Sequence, residues 1–227
     1  MSKNVTITIS RQYGSNGREI GRRVAEYLDI GYYNKKIMER IAVDMGIDPD
    51  FFKEENQTDD GMYHVGGIAG LLGGFGFSGM TDLSVNTAVF EKASELIKGI
   101  ASLESSVIVG RCGDFILKDD PNTVSVFIYS DPEDRLKRII SDYNVNEKKA
   151  KKILEEKDAK RSRFYEFNTN RKWGNPLNYD VMINSSRVSV EEASELLAGI
   201  YERKMGHSIF KGAFTDQHIA HKSLSDS

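Results

Sequence analysis

Five short apolar runs, at residues 5–9, 30–33, 107–109, 124–129 and 181–183, stand out from an otherwise polar chain. They are rich in valine, isoleucine and aromatic residues and too short for helices, which predicts buried strands, with 30–33 the weakest. Between them the spacing changes to three and four. Ile20, Val24 and Leu28 fall on one face of a helix over 17–28; Ile37, Ile41 and Met45 do the same over 36–45; and Val89, Ala93, Leu96, Ile97 and Ile100 do so over 86–103. Strands alternating with amphipathic helices predict a parallel sheet covered by helices, a three-layer α/β domain.

Two helix starts are marked chemically. Asp131-Pro132-Glu133-Asp134 combines a capping carboxylate, a proline suited to the first turn and acids facing the helix dipole. Ser189 followed by Glu192 has capping-box spacing ahead of a final amphipathic helix through about Met205. Residues 206–227 then lose periodicity and hold three of the four histidines, which reads as a flexible C-terminal tail. Residues 56–84 carry clustered glycines, from Gly66 to Gly79, interleaved with Leu71, Leu72, Phe75 and Phe77. Two readings stay open for them: a disordered insertion, or a mobile insert that closes over a reacting group and excludes water.

A chain of 227 residues fits one core, so residues 1–205 are expected to form a single domain before the tail. The net charge of −3 argues against nucleic acid as a partner, because that binding draws on clustered Lys and Arg. The glycine-broken stretch at 65–80 is shorter than the roughly 20 apolar residues of a membrane span, which argues against a membrane partner. Cys112 is the single cysteine and no signal-like segment opens the chain, so the expected compartment is the cytoplasm.

Candidate chemistry begins where the first strand runs through Ser10-Arg11-Gln12-Tyr13-Gly14-Ser15-Asn16-Gly17-Arg18-Glu19 into a helix. The first N–H groups of such a helix have no intrahelical acceptor and point, with the positive dipole end, beyond the loop, where an anion fits. Compared with G-x-x-x-x-G-K-[ST], Arg18 stands in place of the lysine and Glu19 in place of the Mg²⁺-binding hydroxyl. At 107–114 a second strand ends in Gly110-Arg111-Cys112-Gly113-Asp114, so Arg111 emerges where ligands of open parallel sheets bind. By position alone, Arg111 serves equally well as a surface arginine paired with a carboxylate. The run 157–165 places Asp158 one turn from Arg161 and includes Arg163. In isolation it is a solvated basic helix, but phosphoryl transfer requires converging cations around a cradle loop.

Taken together, residues 10–21, 107–114, 158–165, Asn178-Tyr179-Asp180 and Asn184-Ser185 resemble the cytidylate kinase-like members of the P-loop nucleoside-monophosphate kinases. The resemblance implies the P-loop kinase fold, with a five-stranded parallel sheet ordered 2-3-1-4-5, a mobile insert and an arginine-bearing lid at about 155–178. It implies ATP and Mg²⁺ as cofactors, and small-molecule nucleotides as partners, with transfer to CMP or dCMP. Gly14, Ser15, Asn16, Gly17, Arg18 and Glu19 would hold the donor, Arg18 as the lysine substitute and Glu19 touching Mg²⁺ through water. Arg111 and Arg161 match positions that bind the acceptor phosphate, Asp158 matches an acceptor-nucleotide contact, and Asp114 is a further acceptor-side candidate. Arg163 and Arg135 are lid candidates. The catalytic set is thus Arg18, Arg111, Arg161 and Arg163. Cytidylate kinases carry aspartates where this chain has Val109 and Cys112. Two alternatives follow: a nucleotide-binding regulatory module without efficient turnover, and a kinase of another small acceptor. A homo-oligomer is compatible with all three.

Overall fold

The computed structural model describes residues 4–34, 43–44 and 82–207. Its elements are β1 (Thr6–Arg11), α1 (Gly17–Leu28), β2 (Gly31–Tyr33), α2 (Asp82–Leu103), β3 (Ser106–Val109), α3 (Gly113–Ile116), β4 (Thr123–Tyr129), α4 (Pro132–Ser141), α5 (Glu147–Thr169), a 3₁₀ turn (Pro176–Asn178), β5 (Val181–Asn184) and α6 (Val190–Met205). The strands lie in the order β2-β3-β1-β4-β5, and every neighbouring pair is parallel. All five strands coincide with the apolar runs. The expected helix at 36–45 lies outside the described residues, apart from helical positions 43–44. The glycine-rich insert at 56–84 and the tail at 206–227 likewise lie outside them, except that α2 already begins at Asp82 and the tail is described through His207.

Strand alternation sorts the side chains into two layers. Ile7, Ile9, Val107, Val109, Val124, Val126 and Ile128 are buried with Ile20, Val24 and Ala25 of α1 and Ala193, Leu197 and Tyr201 of α6. The intervening positions point to the other face. There Gly113 brings α3 close enough that a Cβ would lie 3.2 Å from Thr8 Cγ2. Phe127 meets Trp173 edge-on at 5.3 Å and lies tilted against Tyr179 at 4.9 Å. α2 packs on β3 and α3 through a face that includes the buried Ala93, Ile97 and Ile100.

The helix starts differ in how they are capped. Ser189 and Glu192 form the reciprocal capping box expected of them, Ser189 Oγ accepting the Glu192 N–H at 3.1 Å while the Glu192 carboxylate accepts the Ser189 N–H at 2.8 Å. Asp131 does sit at the N-cap of α4 ahead of Pro132, yet its carboxylate makes no cap bond. It accepts Asn184 Nδ2 at 3.2 Å and lies 3.5 Å from Arg187 instead, tying α4 to the end of β5.

Candidate active site

The loop between β1 and α1 is built by backbone constraints. Gln12 N–H donates to Ile128 O at 3.0 Å, extending the β1–β4 pairing beyond the strand, and Gln12 Oε1 accepts the Ser130 N–H at 3.2 Å. Gly14 turns with φ 76°, and a Cβ there would lie 2.9 Å from Ile139 Cγ2 and 3.0 Å from Arg135 O. Asn16 caps α1 in the left-handed region without a side-chain cap bond, so the first turn of a twelve-residue helix is offered to an external acceptor. The Ser15 hydroxyl is buried between the carbonyls of Gln12 at 2.9 Å and Ile128 at 3.1 Å. Ser15 therefore contributes backbone to the cradle and its hydroxyl faces the sheet.

Four side chains from α4 and α5 grip this loop. Asp158 Oδ1 accepts the Tyr13 N–H at 2.6 Å, and its other oxygen is ion-paired with the buried Arg135. Arg135 also reaches Tyr13 O at 3.4 Å, and Arg138 donates to Gly14 O. Arg161 donates to Arg11 O at 3.2 Å, lies 4.0 Å from Asp158 Oδ1 and covers the Tyr13 ring at 5.4 Å. Beneath them Ile139, Ala150 and Leu154 form a small core on which Tyr13 packs. The structure thus brings Asp158 and Arg161 to the phosphate loop, with Asp158 holding the loop backbone. Sequence reasoning missed Arg138. Its i, i+3 relation to Arg135 on a helix that follows a strand was the available signal.

Across the sheet, the turn after β3 carries three consecutive residues in the left-handed region: Gly110 (φ 81°), Arg111 (φ 59°) and Cys112 (φ 54°). The non-glycine pair stores strain of about 1–3 kcal/mol per residue, which persists only where the surroundings fix it. Gly110 N–H donates to Ile9 O at 2.9 Å, and Gly113 N–H to Gly110 O at 3.2 Å. The turn buries Cys112, whose thiol pKa is raised strongly by desolvation, which makes it poorly suited to be a nucleophile.

Asp114 is buried below this turn. Its carboxylate accepts from Tyr165 OH at 2.7 Å and from Ser10 Oγ at 3.3 Å, joining α3, α5 and β1. Burial raises its pKa against the opposing effect of those two hydroxyls. The Tyr179 hydroxyl is pushed up to about 12 by burial, with the Asp114 charge adding to it. Asp114 therefore faces protein hydroxyls.

Arg18 and Arg163 are exposed, on α1 and α5 respectively. The Arg18 carbonyl accepts Tyr32 OH at 3.2 Å, which links β2 to the cradle. The Glu19 carboxylate accepts from Arg22 at 2.7 Å and from Arg23 at 3.1 Å, and these bonds hold its pKa low. Its charge is thereby neutralised beside the anion site. A carboxylate shared by two guanidinium groups does not fit direct Mg²⁺ ligation. Among the described residues, no group of three His, Cys, Asp or Glu side chains converges on a metal site. Likewise, no described helix is long and apolar enough to cross a membrane.

A parallel sheet of this order, with a tight cradle leading from β1 into the N-terminus of α1, defines a P-loop kinase fold. The chain belongs to the cytidylate kinase-like family, whose model matches residues 6–187, and so stands among the kinases of nucleotides and small molecules. An uncharacterized protein from Eubacterium ventriosum ATCC 27560 has a similar structure, at 25% identity over 88% of this chain and 99% of that one, with a TM-score of 0.65. TT1252 from Thermus thermophilus is similar at 13% identity over 88% of this chain and 97% of that one, with a TM-score of 0.50. The shikimate kinase of Acinetobacter baumannii in complex with shikimate gives 14% identity, 88% and 93% coverage, and a TM-score of 0.47. No curated protein matches the chain.

Proposed function

We propose that the protein transfers the γ-phosphoryl group of ATP to a nucleoside monophosphate, with CMP or dCMP as the first acceptors to test. The observation that carries this reading is the α1 N-terminus left without a side-chain cap, on a loop clamped by Asp158, Arg135 and Arg138. In the reaction an acceptor phosphate oxygen forms a bond to the γ-phosphorus, the bond from that phosphorus to the β,γ-bridging oxygen breaks, and ADP leaves with the electron pair. The chain's own task is to bind, align and neutralise. N–H groups of residues 14–18 receive the donor phosphates. Arg111, in the turn after β3, and Arg161, on α5, would take the acceptor phosphate, while the exposed Arg163 and Arg18 would close over the nucleotides from the rim. Mg²⁺ supplies charge neutralisation to the triphosphate. With Glu19 held by Arg22 and Arg23, the ion would be met mainly by phosphate oxygens and water, with Glu19 in its outer sphere.

The test is direct: purified protein, ATP and Mg²⁺ are incubated with each common nucleoside monophosphate and the products are resolved by ion-exchange chromatography. Cytidine diphosphate formed faster than the others supports the reading; no diphosphate from any of them removes it. The buried, apolar Val109 and Cys112 favour a second reading, a kinase whose small phosphate-accepting substrate is not a cytidine nucleotide. ATP consumption with another metabolite in the same assay identifies that case. Tight ATP binding without turnover identifies a regulatory module.

A further inference from the structure

The geometry points to Arg11, rather than Arg18, as the side chain that supplies the donor phosphates with the cation a P-loop lysine supplies; the assignment rests on residues 12–18 being the phosphate cradle. In G-x-x-x-x-G-K the lysine follows the loop's last glycine, and Arg18 after Gly17 holds that position here. Asn16, left-handed at φ 59°, ends the loop and Gly17 opens α1. Gly17 has no side chain, and the space one would take is already filled. A Cβ on Gly17 would lie 2.6 Å from Arg11 Cβ and 2.9 Å from Arg11 Cγ. The stem of Arg11 therefore crosses the start of α1 over Gly17.

The far end of the same side chain fixes its direction. A Cβ on Gly110 would collide with Arg11 Nη1 and lie 3.4 Å from Cζ. Arg11 thus leaves β1, passes over Gly17 and ends against the turn after β3, with two side-chain-free residues making its channel. Its guanidinium lies against Gly110, at the carboxyl ends of β1 and β3, where α/β sheets receive their ligands. Arg161 holds the Arg11 carbonyl, so the residue is anchored at its backbone as well. Arg18 lies one helical step from Gly17, about 100° around the axis, and is exposed while Gly17, Ile20 and Gly21 are buried against the sheet.

A guanidinium held in that channel brings a planar fork and a charge that does not titrate, the chemistry suited to bridging oxygens of adjacent phosphates. The test is calorimetric titration of ATP with Mg²⁺, and separately of AMP, into the full chain and its Arg11→Met, Arg11→Lys and Arg18→Met variants. Arg11→Met is expected to weaken ATP binding at least tenfold with AMP affinity within threefold, Arg11→Lys to recover part of that loss, and Arg18→Met to lose at least fivefold less than Arg11→Met. Gly17→Ala, which displaces the Arg11 stem, is expected to weaken ATP binding as well. Should Arg11→Met not fold, Arg11→Lys and Gly17→Ala decide the matter by the same comparison. ATP binding within threefold of the parent in Arg11→Met, or a loss in Arg18→Met as large, overturns the assignment. ATP binding that depends on Arg11 without diphosphate from any acceptor leaves the assignment standing and removes the proposed function alone.

Discussion

The carboxylate of Asp158 accepts the backbone N–H of Tyr13 at 2.6 Å across a sequence separation of 145 residues, so the phosphate loop takes part of its shape from α5. The same carboxylate pairs with Arg135, and both side chains are largely buried, at 16% and 9% exposure. Removing Asp158 leaves a guanidinium and an N–H without their acceptor. Asp158→Ala is expected to cost about 3 kcal/mol of folding stability, in the range for breaking a buried pair. Asp158→Asn, which keeps an acceptor for Tyr13, should cost about 1 kcal/mol. Urea denaturation followed by circular dichroism gives both values, and equal effects of the two variants would refute the clamp.

Gly14 tests the loop from its own side. Alanine there must adopt φ 76° and press on Ile139 and Arg135 O. A strained backbone of this kind costs about 1–3 kcal/mol. Gly14→Ala is expected to lower the thermal midpoint and to weaken ATP binding more than tenfold, measured by differential scanning fluorimetry with and without ATP. A variant that binds ATP like the parent would show that the loop tolerates reshaping.

Asp114 predicts a pH dependence with a defined sign. Its folded pKa is raised by burial, so between its unfolded and folded values the native state holds the proton more tightly than the unfolded chain does. Stability contributed by this group therefore falls as pH rises from roughly pH 4, the unfolded carboxylate value, through the raised folded value. Asp114→Asn removes that titration. The stability of the variant minus that of the parent is expected to increase from pH 4 to pH 7 in chemical denaturation; a flat or declining difference would contradict the buried carboxyl.

Cys112 provides a check on the strained turn. The thiol is buried at 3% exposure and desolvated in a residue with φ 54°. Native protein is expected to react with a disulfide reagent at pH 8 at least roughly a hundredfold more slowly than protein in urea, since the thiolate is the reactive form. Rapid labelling of the native chain would mean that the turn after β3 is open to solvent.

The strands were legible because both faces of the inner strands are covered. Burial of alternate positions on two sides forces consecutive apolar residues such as Val107-Ile108-Val109, and only a strand buries them all. The Ser189–Glu192 box was legible for a related reason, since both of its bonds span three residues. Asp131 looked equivalent in sequence and was not, because Asn184 and Arg187 arrive beside it only after β5 joins the sheet.

The candidate site divides along the same line. A strand running through a glycine-bearing turn into a helix announces a phosphate cradle from local backbone geometry, which depends on neighbours within a few residues. Which side chains enter the cradle depends on partners far away in the chain. Arg11 crosses Gly17 because Gly110, in the turn after β3, leaves room for its head group. Arg135, Arg138 and Asp158 reach Tyr13 and Gly14 because α4 and α5 pack over Ile139 and Leu154. Asp114 is drawn inward by Ser10 and Tyr165. Periodicity and capping record the short-range physics of the backbone; the direction of a long side chain is settled by packing and charge between elements, which no window of neighbouring residues contains.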